Sequence, residues 1–102
     1  MRLIKAKFLR DAAEQYPKAT AYLATWIKNV RQASWRSLAD IRQTYPGADM
    51  VRVESGKPVI VFNVCGNTYR MIVAIHFDRQ TACTLRFLTH AEYSKDSWKK
   101  QL

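Results

Sequence analysis

Val59–Tyr93, with the sequence VIVFNVCGNTYRMIVAIHFDRQTACTLRFLTHAEY, is the stretch that decides the fold. It holds three runs rich in β-branched and aromatic residues: Val59–Val64, Tyr69–Phe77 and a third run that begins at Cys83. Runs of this composition, bounded by turn residues, predict β-strands. The connections at Gly66–Asn67 and after Phe77 are too short for parallel crossovers, so the three strands should form an antiparallel meander.

Alternate side chains of a strand point to opposite faces of the sheet, which predicts the faces of these strands. In the second strand, Tyr69, Met71 and Val73 should face the core and Arg70 should face away. In the third strand the predicted core residues are Cys83, Leu85 and Phe87, and those facing away are Thr84, Arg86 and Leu88.

The end of the stretch predicts a short helix. Thr89-His-Ala-Glu92 fits a capping box, in which the first and last side chains bond each other's backbone amides, so a helix should begin at His90. After Asp96, the basic tail SWKKQL is expected to fray.

The first half of the chain predicts helical cover for this sheet. Met1–Ile4 is a candidate edge strand, and apolar residues recur at helical spacing from Lys5 to Pro17 and from Lys18 to Ala33. We therefore expect an α+β fold in which an antiparallel sheet of three to four strands packs against an N-terminal helical hairpin. One domain should span residues 1–102, with 1–50 mainly helical, 51–89 forming the sheet, and 90–102 forming a short helix and a basic tail.

The charge of the chain narrows the class of partner. Seventeen Lys and Arg against eight Asp and Glu give a formal net charge of +9, spread over both halves of the chain. Such a field attracts polyanions, of which nucleic acid is the commonest, although a merely soluble basic protein remains an alternative. No basic amphipathic helix with a bulky apolar face indicates a membrane surface, and no signal peptide or membrane span is recognisable.

The two cysteines, Cys65 and Cys83, lack zinc-site spacing with each other or with the two histidines. We expect free thiols in a reducing cytosol, with no metal and no cofactor.

Strand pairing should gather basic groups on the face turned away from the helices. Asn63 should lie opposite Arg70 on the neighbouring strand. Arg86 should also come near Arg70, so that the two arginines flank Leu88 and Ile72. Lys57 shares the parity of Asn63, and His90 and Tyr93 follow three residues apart on the last helix. The candidate site residues are Lys57, Asn63, Arg70, Arg86, His90 and Tyr93.

These side chains suit metal-free cleavage of RNA. Guanidinium groups bind phosphate in a bidentate manner and stabilise charge that develops on it, and a histidine can shuttle a proton near neutral pH. The structural alternatives stay open: Arg70 and Arg86 as solvated charges, His90 as a plain helix residue, Tyr93 as core and Asn67 as a turn residue.

The segments FNVCGNTYRMIVAIHF and TLRFLTHAEYSK resemble the HigB-like toxins of the RelE superfamily. ASWRSLADIRQTYPGADMV resembles the middle segment of that family, and the similarity extends from about Lys18 to Lys95. The resemblance implies a compact RelE-like fold and a bacterial type II toxin. Such toxins cut mRNA, usually on the translating ribosome, and are held inactive by an antitoxin that also binds DNA.

By the same resemblance, Arg70 and Arg86 match arginines that bind the scissile phosphate, and His90 matches a candidate general acid or base. Tyr93 matches a tyrosine near the substrate, and Lys57 matches a basic residue only loosely. Cys65 departs from the family's usual glycine and Ser94 from a common aspartate. RNA contacts are expected at Asn63, Asn67, Lys95, Lys99 and Lys100.

The sequence thus predicts a cytoplasmic, ribosome-dependent and metal-independent endoribonuclease. Its partners would be mRNA, ribosomal RNA and a cognate antitoxin, with DNA reached only through the antitoxin and no membrane. Two alternatives remain. One is an RNA- or DNA-docking module or degenerate toxin that acts through a partner, and the other is a sheet-mediated protein-interaction domain.

Overall fold

The computed structural model describes residues 1–102 and confirms an α+β architecture. One sheet of five strands, in the order β1-β5-β4-β3-β2, carries helices on one face and the C-terminal segment on the other. None of the helices is both long and apolar enough to cross a membrane. The elements are β1 (Arg2–Ile4), α1 (Ala6–Gln15), α2 (Thr20–Gln32), α3 (Leu38–Thr44), β2 (Asp49–Arg52), β3 (Pro58–Val64), β4 (Tyr69–His76), β5 (Thr81–Thr89) and α4 (His90–Ser94), with short 3₁₀ helices at Pro17–Ala19 and Ser97–Gln101.

The sheet is larger than predicted and not purely antiparallel. The strand suspected at the N-terminus exists as β1, and it pairs in parallel with β5, Arg2 lying beside Thr81. The prediction of an antiparallel sheet of three to four strands is therefore wrong in strand number and in direction at this edge. A strand of three residues is too short to show periodicity, and its partner is far away in sequence. No local sequence signal therefore predicts the pairing.

The main core lies between the sheet and the helices. Leu23, Trp26 and Val30 recur at three and four residues, which places them on the buried stripe of α2. Trp26 packs edge-to-face on Phe62 of β3, with ring centroids 5.4 Å apart. The aromatic residues of α2 thus serve the core, and α3, capped by the side chain of Ser37, follows the helical hairpin as a short third helix.

The opposite face of the sheet has a smaller core of its own. Val59 and Val61 of β3 and Ile72 of β4 pack there against Trp98, which is only 3% exposed. The tail continues to the turn after β2, where Glu54 N donates to Lys99 O and Ser55 Oγ donates to Leu102 O. The prediction that SWKKQL frays is therefore wrong, because one large aromatic side chain anchors the segment on an apolar surface.

A β-bulge in β5 changes the predicted parity of that strand. Ile72 pairs with Arg86 but Val73 pairs with Thr84, which leaves Leu85 as the extra residue. Leu85 consequently packs in the smaller core, while Thr84 is fully buried and donates its hydroxyl proton to Lys5 O. The core assignments of Cys83 and Leu85 and the outward assignment of Thr84 were wrong, because Ala82 and Thr84 are the residues of this part of β5 that face the main core, whereas Phe87, Arg86 and Leu88 lie as predicted.

The β3–β4 hairpin begins and ends where the sequence predicts. Val64 pairs with Tyr69, and Thr68 N donates to Cys65 O across the turn. Gly66 has φ 67°, and Cys65 also adopts a left-handed conformation with φ 53°. Glycine is the residue that takes this conformation without strain, so the departure at Cys65 falls on a position that favours glycine.

Replacement of Trp98 by alanine tests the anchoring of the tail. We expect Trp98→Ala to lower the free energy of unfolding by about 3–5 kcal/mol, the usual cost of truncating a buried large aromatic residue. Lys100→Ala in the same segment should change it by less than about 0.5 kcal/mol, because Lys100 is exposed. Urea unfolding measures both, and equal, negligible effects would show that the tail is unattached in solution.

The capping box of α4 gives a second test. Glu92 N donates to Thr89 Oγ1 and Thr89 N donates to Glu92 Oε1, as the sequence predicts. Thr89→Ala should cost about 1 kcal/mol of unfolding free energy, the typical value of such a cap, and Thr89→Ser should retain most of it. The box contributes nothing to stability if both variants unfold at the wild-type urea concentration.

Candidate nucleic-acid interface

Arg70 lies at the start of β4 with its guanidinium held from three sides. Nη1 donates to Tyr69 O at 3.1 Å, and Nη2 donates to Asn67 Oδ1 at 3.2 Å. The guanidinium carbon lies 5.6 Å from the centroid of the Tyr93 ring, within the range of a cation–π contact. Three contacts on a half-buried side chain fix its direction, so this cation is presented in a defined position.

Tyr93 connects Arg70 to the C-terminal segment. Its ring stacks on Trp98 with centroids 5.4 Å apart and planes inclined by 20°, and Trp98 Nε1 donates to Tyr93 O. Because Trp98 is anchored in the smaller core, it supports Tyr93, which in turn supports Arg70. Tyr93 is half-buried and neither a free surface residue nor a fully buried one.

Arg86 is the diagonal neighbour of Arg70. Arg70 pairs with Leu88 and Ile72 pairs with Arg86, so the two arginines flank this apolar pair as predicted. Side chains in diagonal positions of adjacent strands lie about 7–8 Å apart. Nη1 of Arg86 donates to Leu85 O at 2.7 Å, and its side chain borders a cleft beside the tail.

His90 is the first residue of α4 and is exposed. Its backbone amide donates to Thr68 O, which attaches the start of the helix to the turn that carries Asn67. Tyr93 follows one helical turn later, so the imidazole begins on the same side of α4 as the ring that contacts Arg70. Glu92 is engaged in the capping box and is the carboxylate nearest in sequence.

Asn63 pairs with Arg70 as predicted, and its exposed side chain reaches Gly47 in the loop before β2. Its Nδ2 lies 2.7 Å from the position that a Cβ on Gly47 would occupy, so a larger residue at position 47 would displace the end of this exposed side chain. A groove beside it is lined by Tyr22 and Tyr45, whose pKa values are both raised, chiefly by burial. These phenols therefore stay neutral at physiological pH.

Lys57 is not brought to the other candidates. It precedes β3, whereas Asn63 lies near the end of that strand, so roughly 20 Å of strand separates them at about 3.3 Å per residue. Lys57 instead lines an apolar groove of about 560 Å³ with His76. Shared parity places two residues on one face of a sheet but gives no position along the strand, which is why the sequence argument went wrong here.

The lysines of the C-terminal segment take different positions. Lys95 follows α4, is exposed and lines the cleft beside Arg86, whereas Lys100 is exposed outside it. Lys99 forms an ion pair with Asp96 at 3.2 Å, and its Nζ lies 5.7 Å from the Trp98 ring centroid. Sequence reasoning did not predict that Trp98, Ser97 and Gln101 line this cleft, because they fall in the segment that was expected to fray.

The structure thus combines two cations, an imidazole and a phenol on one face and at one end of the sheet. Guanidinium groups near a phosphate neutralise charge on its oxygens, and an imidazole accepts or donates a proton near neutral pH. No group of three or more His, Cys, Asp or Glu side chains is placed to hold a metal ion. This arrangement is suited to binding and polarising a phosphodiester.

Comparison with known proteins finds relatives that are named mRNA interferases. Escherichia coli K12 has a relative named mRNA interferase toxin HigB, and Shigella flexneri has one named mRNA interferase HigB. Each is 29% identical to this chain over 93 residues, which cover 91% of this chain and 88% of the relative.

The sequence model of a protein family also matches residues 19–96, almost the same segment that the resemblance covered. That family is HigB_toxin, described as the RelE-like toxic component of a toxin–antitoxin system. The matched segment runs from the last residue before α2 to the residue before the C-terminal 3₁₀ helix, and it includes Arg70, Arg86, His90 and Tyr93. The chain therefore belongs to the family of HigB toxins, the RelE-like toxic components of toxin–antitoxin systems.

Proposed function

We propose that this toxin is an mRNA interferase, an endoribonuclease that cuts mRNA on the translating ribosome without a metal ion. The observation that carries the proposal is the fixed guanidinium of Arg70, held by Asn67, Tyr69 and the Tyr93 ring beside Arg86. Relatives of similar length are named mRNA interferases, and the net charge of +9 favours an RNA partner.

The proposed reaction is attack of a ribose 2′-oxygen on the adjacent phosphorus. The 2′-hydroxyl gives its proton to a base, the new P–O2′ bond forms, the P–O5′ bond breaks and the leaving oxygen takes up a proton. The products are a 2′,3′-cyclic phosphate and a 5′-hydroxyl, with no external reactant. Arg70 and Arg86 would stabilise the negative charge that builds on the phosphorane oxygens.

Proton transfer is assigned to His90 and positioning to Tyr93. His90 is exposed at the start of α4, where its imidazole is free to reach substrate. Tyr93 uses its ring to hold Arg70, since the ring contacts are the ones that the structure defines. Lys57 has no role in this assignment, because it lies at the other end of β3.

The same proposal covers location and partners. The toxin would act in the cytoplasm, dock on ribosomal RNA through its basic surface and be held inactive by a cognate antitoxin that carries any DNA binding. Docking through phosphate contacts weakens steeply as salt rises, because bound counterions are released. Co-sedimentation with ribosomes at increasing salt tests this part, and salt-independent binding would contradict it.

Removal of either arginine should abolish most of the activity. We expect Arg70→Ala and Arg86→Ala each to lower the rate of cleavage of a defined mRNA on ribosomes by about 10²–10³-fold, the cost of losing one preorganised donor to a developing oxyanion. Arg79→Ala is the matched control, since Arg79 is exposed in the β4–β5 turn at the opposite end of β4 and the charge change is identical. Undiminished cleavage by a folded Arg70→Ala protein would remove the phosphate-stabilising role.

Two substitutions separate proton transfer from positioning. His90→Ala should lower the rate constant of cleavage by about 10²–10⁴-fold, as loss of a general acid or base does. Tyr93→Phe should stay close to the wild type, because it keeps the ring that contacts Arg70 and removes only the hydroxyl. A large loss in Tyr93→Phe with little loss in His90→Ala would exchange the two assignments.

The second candidate function is a non-catalytic docking module that acts through a partner. The observation in its favour is the shortage of proton-transfer groups near Arg70, where Glu92 is committed to the capping box. It predicts ribosome binding and growth arrest that survive His90→Ala unchanged, with no new RNA ends.

A further inference from the structure

A cleft between β5 and the C-terminal segment lies next to Arg86. We call it the tail cleft. Its volume is about 260 Å³, smaller than the roughly 300–1,000 Å³ of pockets for drug-sized ligands, so it suits a single nucleobase rather than a longer ligand. It is bordered by Arg86 and Leu88 of β5, by Glu92 and Lys95 in and after α4, and by Ser97, Trp98 and Gln101 of the tail.

The charged groups of the tail cleft suit a nucleotide phosphate. Arg86 and Lys95 both line it, one from the sheet and one from the end of α4. Arg86 is also the diagonal neighbour of Arg70, so the cleft opens beside the proposed position of the scissile phosphate. The nucleotide next to that phosphate in the same RNA chain would therefore reach the cleft.

The remaining polar groups of the tail cleft suit the edge of a base. Glu92 uses Oε1 to accept from Thr89 N, which leaves Oε2 for a ligand. A carboxylate only accepts hydrogen bonds, and its characteristic partner among bases is an exocyclic amino group such as N4 of cytosine. Ser97 and Gln101 add a hydroxyl and an amide, while Leu88 and Trp98 give the cleft an apolar side.

We propose that the tail cleft binds the nucleotide next to the scissile phosphate and prefers a base that carries an exocyclic amino group. Glu92 is then the residue that determines the specificity for the base, and Arg86 and Lys95 hold the phosphate of that nucleotide. The inference depends on the proposed function for the identity of the RNA, but the binding itself requires no cleavage.

The test uses RNA trinucleotides that cannot be cleaved. CCC and UUU with 2′-O-methyl riboses have rings of the same size and differ at the base edge, amino against carbonyl. We expect CCC to bind about 5-fold or more tightly than UUU, the lower end of discrimination by a base-edge contact. In titrations followed by NMR, the signals of the Gln101 side-chain amide and the Trp98 indole should shift.

Three variants identify the residues responsible. Glu92→Gln keeps a capping box, because glutamine also fits that position, but it replaces one acceptor by an amide. It should lower the preference for CCC over UUU toward unity. Lys95→Ala should weaken both trinucleotides equally, and the matched Lys28→Ala, an exposed lysine of α2, should weaken neither by as much.

Several outcomes would overturn the proposal. They are equal binding of CCC and UUU, an unchanged preference in Glu92→Gln, equal losses in Lys95→Ala and Lys28→Ala, or no binding that shifts Gln101 and Trp98. The mRNA cleavage assay distinguishes this failure from that of the proposed function. Cleavage with no base preference in the tail cleft removes only the inference, whereas selective binding without cleavage removes only the nuclease.

Discussion

The packing of Trp98 against the second face of the sheet is the contact on which the rest of the site depends. It closes a small core over β3 and β4, and it brings the end of the chain back across the sheet from α4. The buried indole also stacks on Tyr93, which lies against the guanidinium of Arg70. One aromatic residue thus contributes to the stability of the fold and to the position of the cation assigned to the phosphate.

This arrangement explains how the side chains of the candidate site stay ordered at the surface. A long cationic side chain loses conformational entropy when it is fixed, and that cost must be offset by contacts in the folded state. For Arg70 these contacts are the Asn67 side chain, the Tyr69 carbonyl and the Tyr93 ring. Two of them belong to the β3–β4 hairpin and one belongs to α4, whose Tyr93 stacks on Trp98 of the tail, so these segments must be in place for the cation to be preorganised.

Much of this geometry could be predicted from local sequence signals. The turn at Gly66–Asn67 fixed the pairing of β3 with β4, and strand pairing then placed Arg86 diagonally to Arg70. The capping box gave the first residue of α4 correctly. Each of these features depends on residues close together in sequence, whose periodicity and turn chemistry are visible without a structure.

The errors arose where the outcome depends on distant packing. β1 pairs with a strand almost at the other end of the chain, and Trp98 finds its apolar surface on strands far upstream. The bulge at Leu85 reverses the faces on which the preceding residues of β5 lie, and no single residue type predicts such a bulge. Lys57 was placed in the site by strand parity and by a loose match to the family, although the length of β3 carries it to the other end of the strand.

The most direct test of the central claim is the chemistry of the RNA ends that the purified protein produces. One defined mRNA would be incubated with the protein, with and without translating ribosomes, and both ends at each cut identified. The account predicts new 5′-hydroxyl and 2′,3′-cyclic phosphate ends that form only with ribosomes and are lost in Arg70→Ala. Ends that carry a 5′-phosphate, or no new ends while ribosome binding persists, would contradict it.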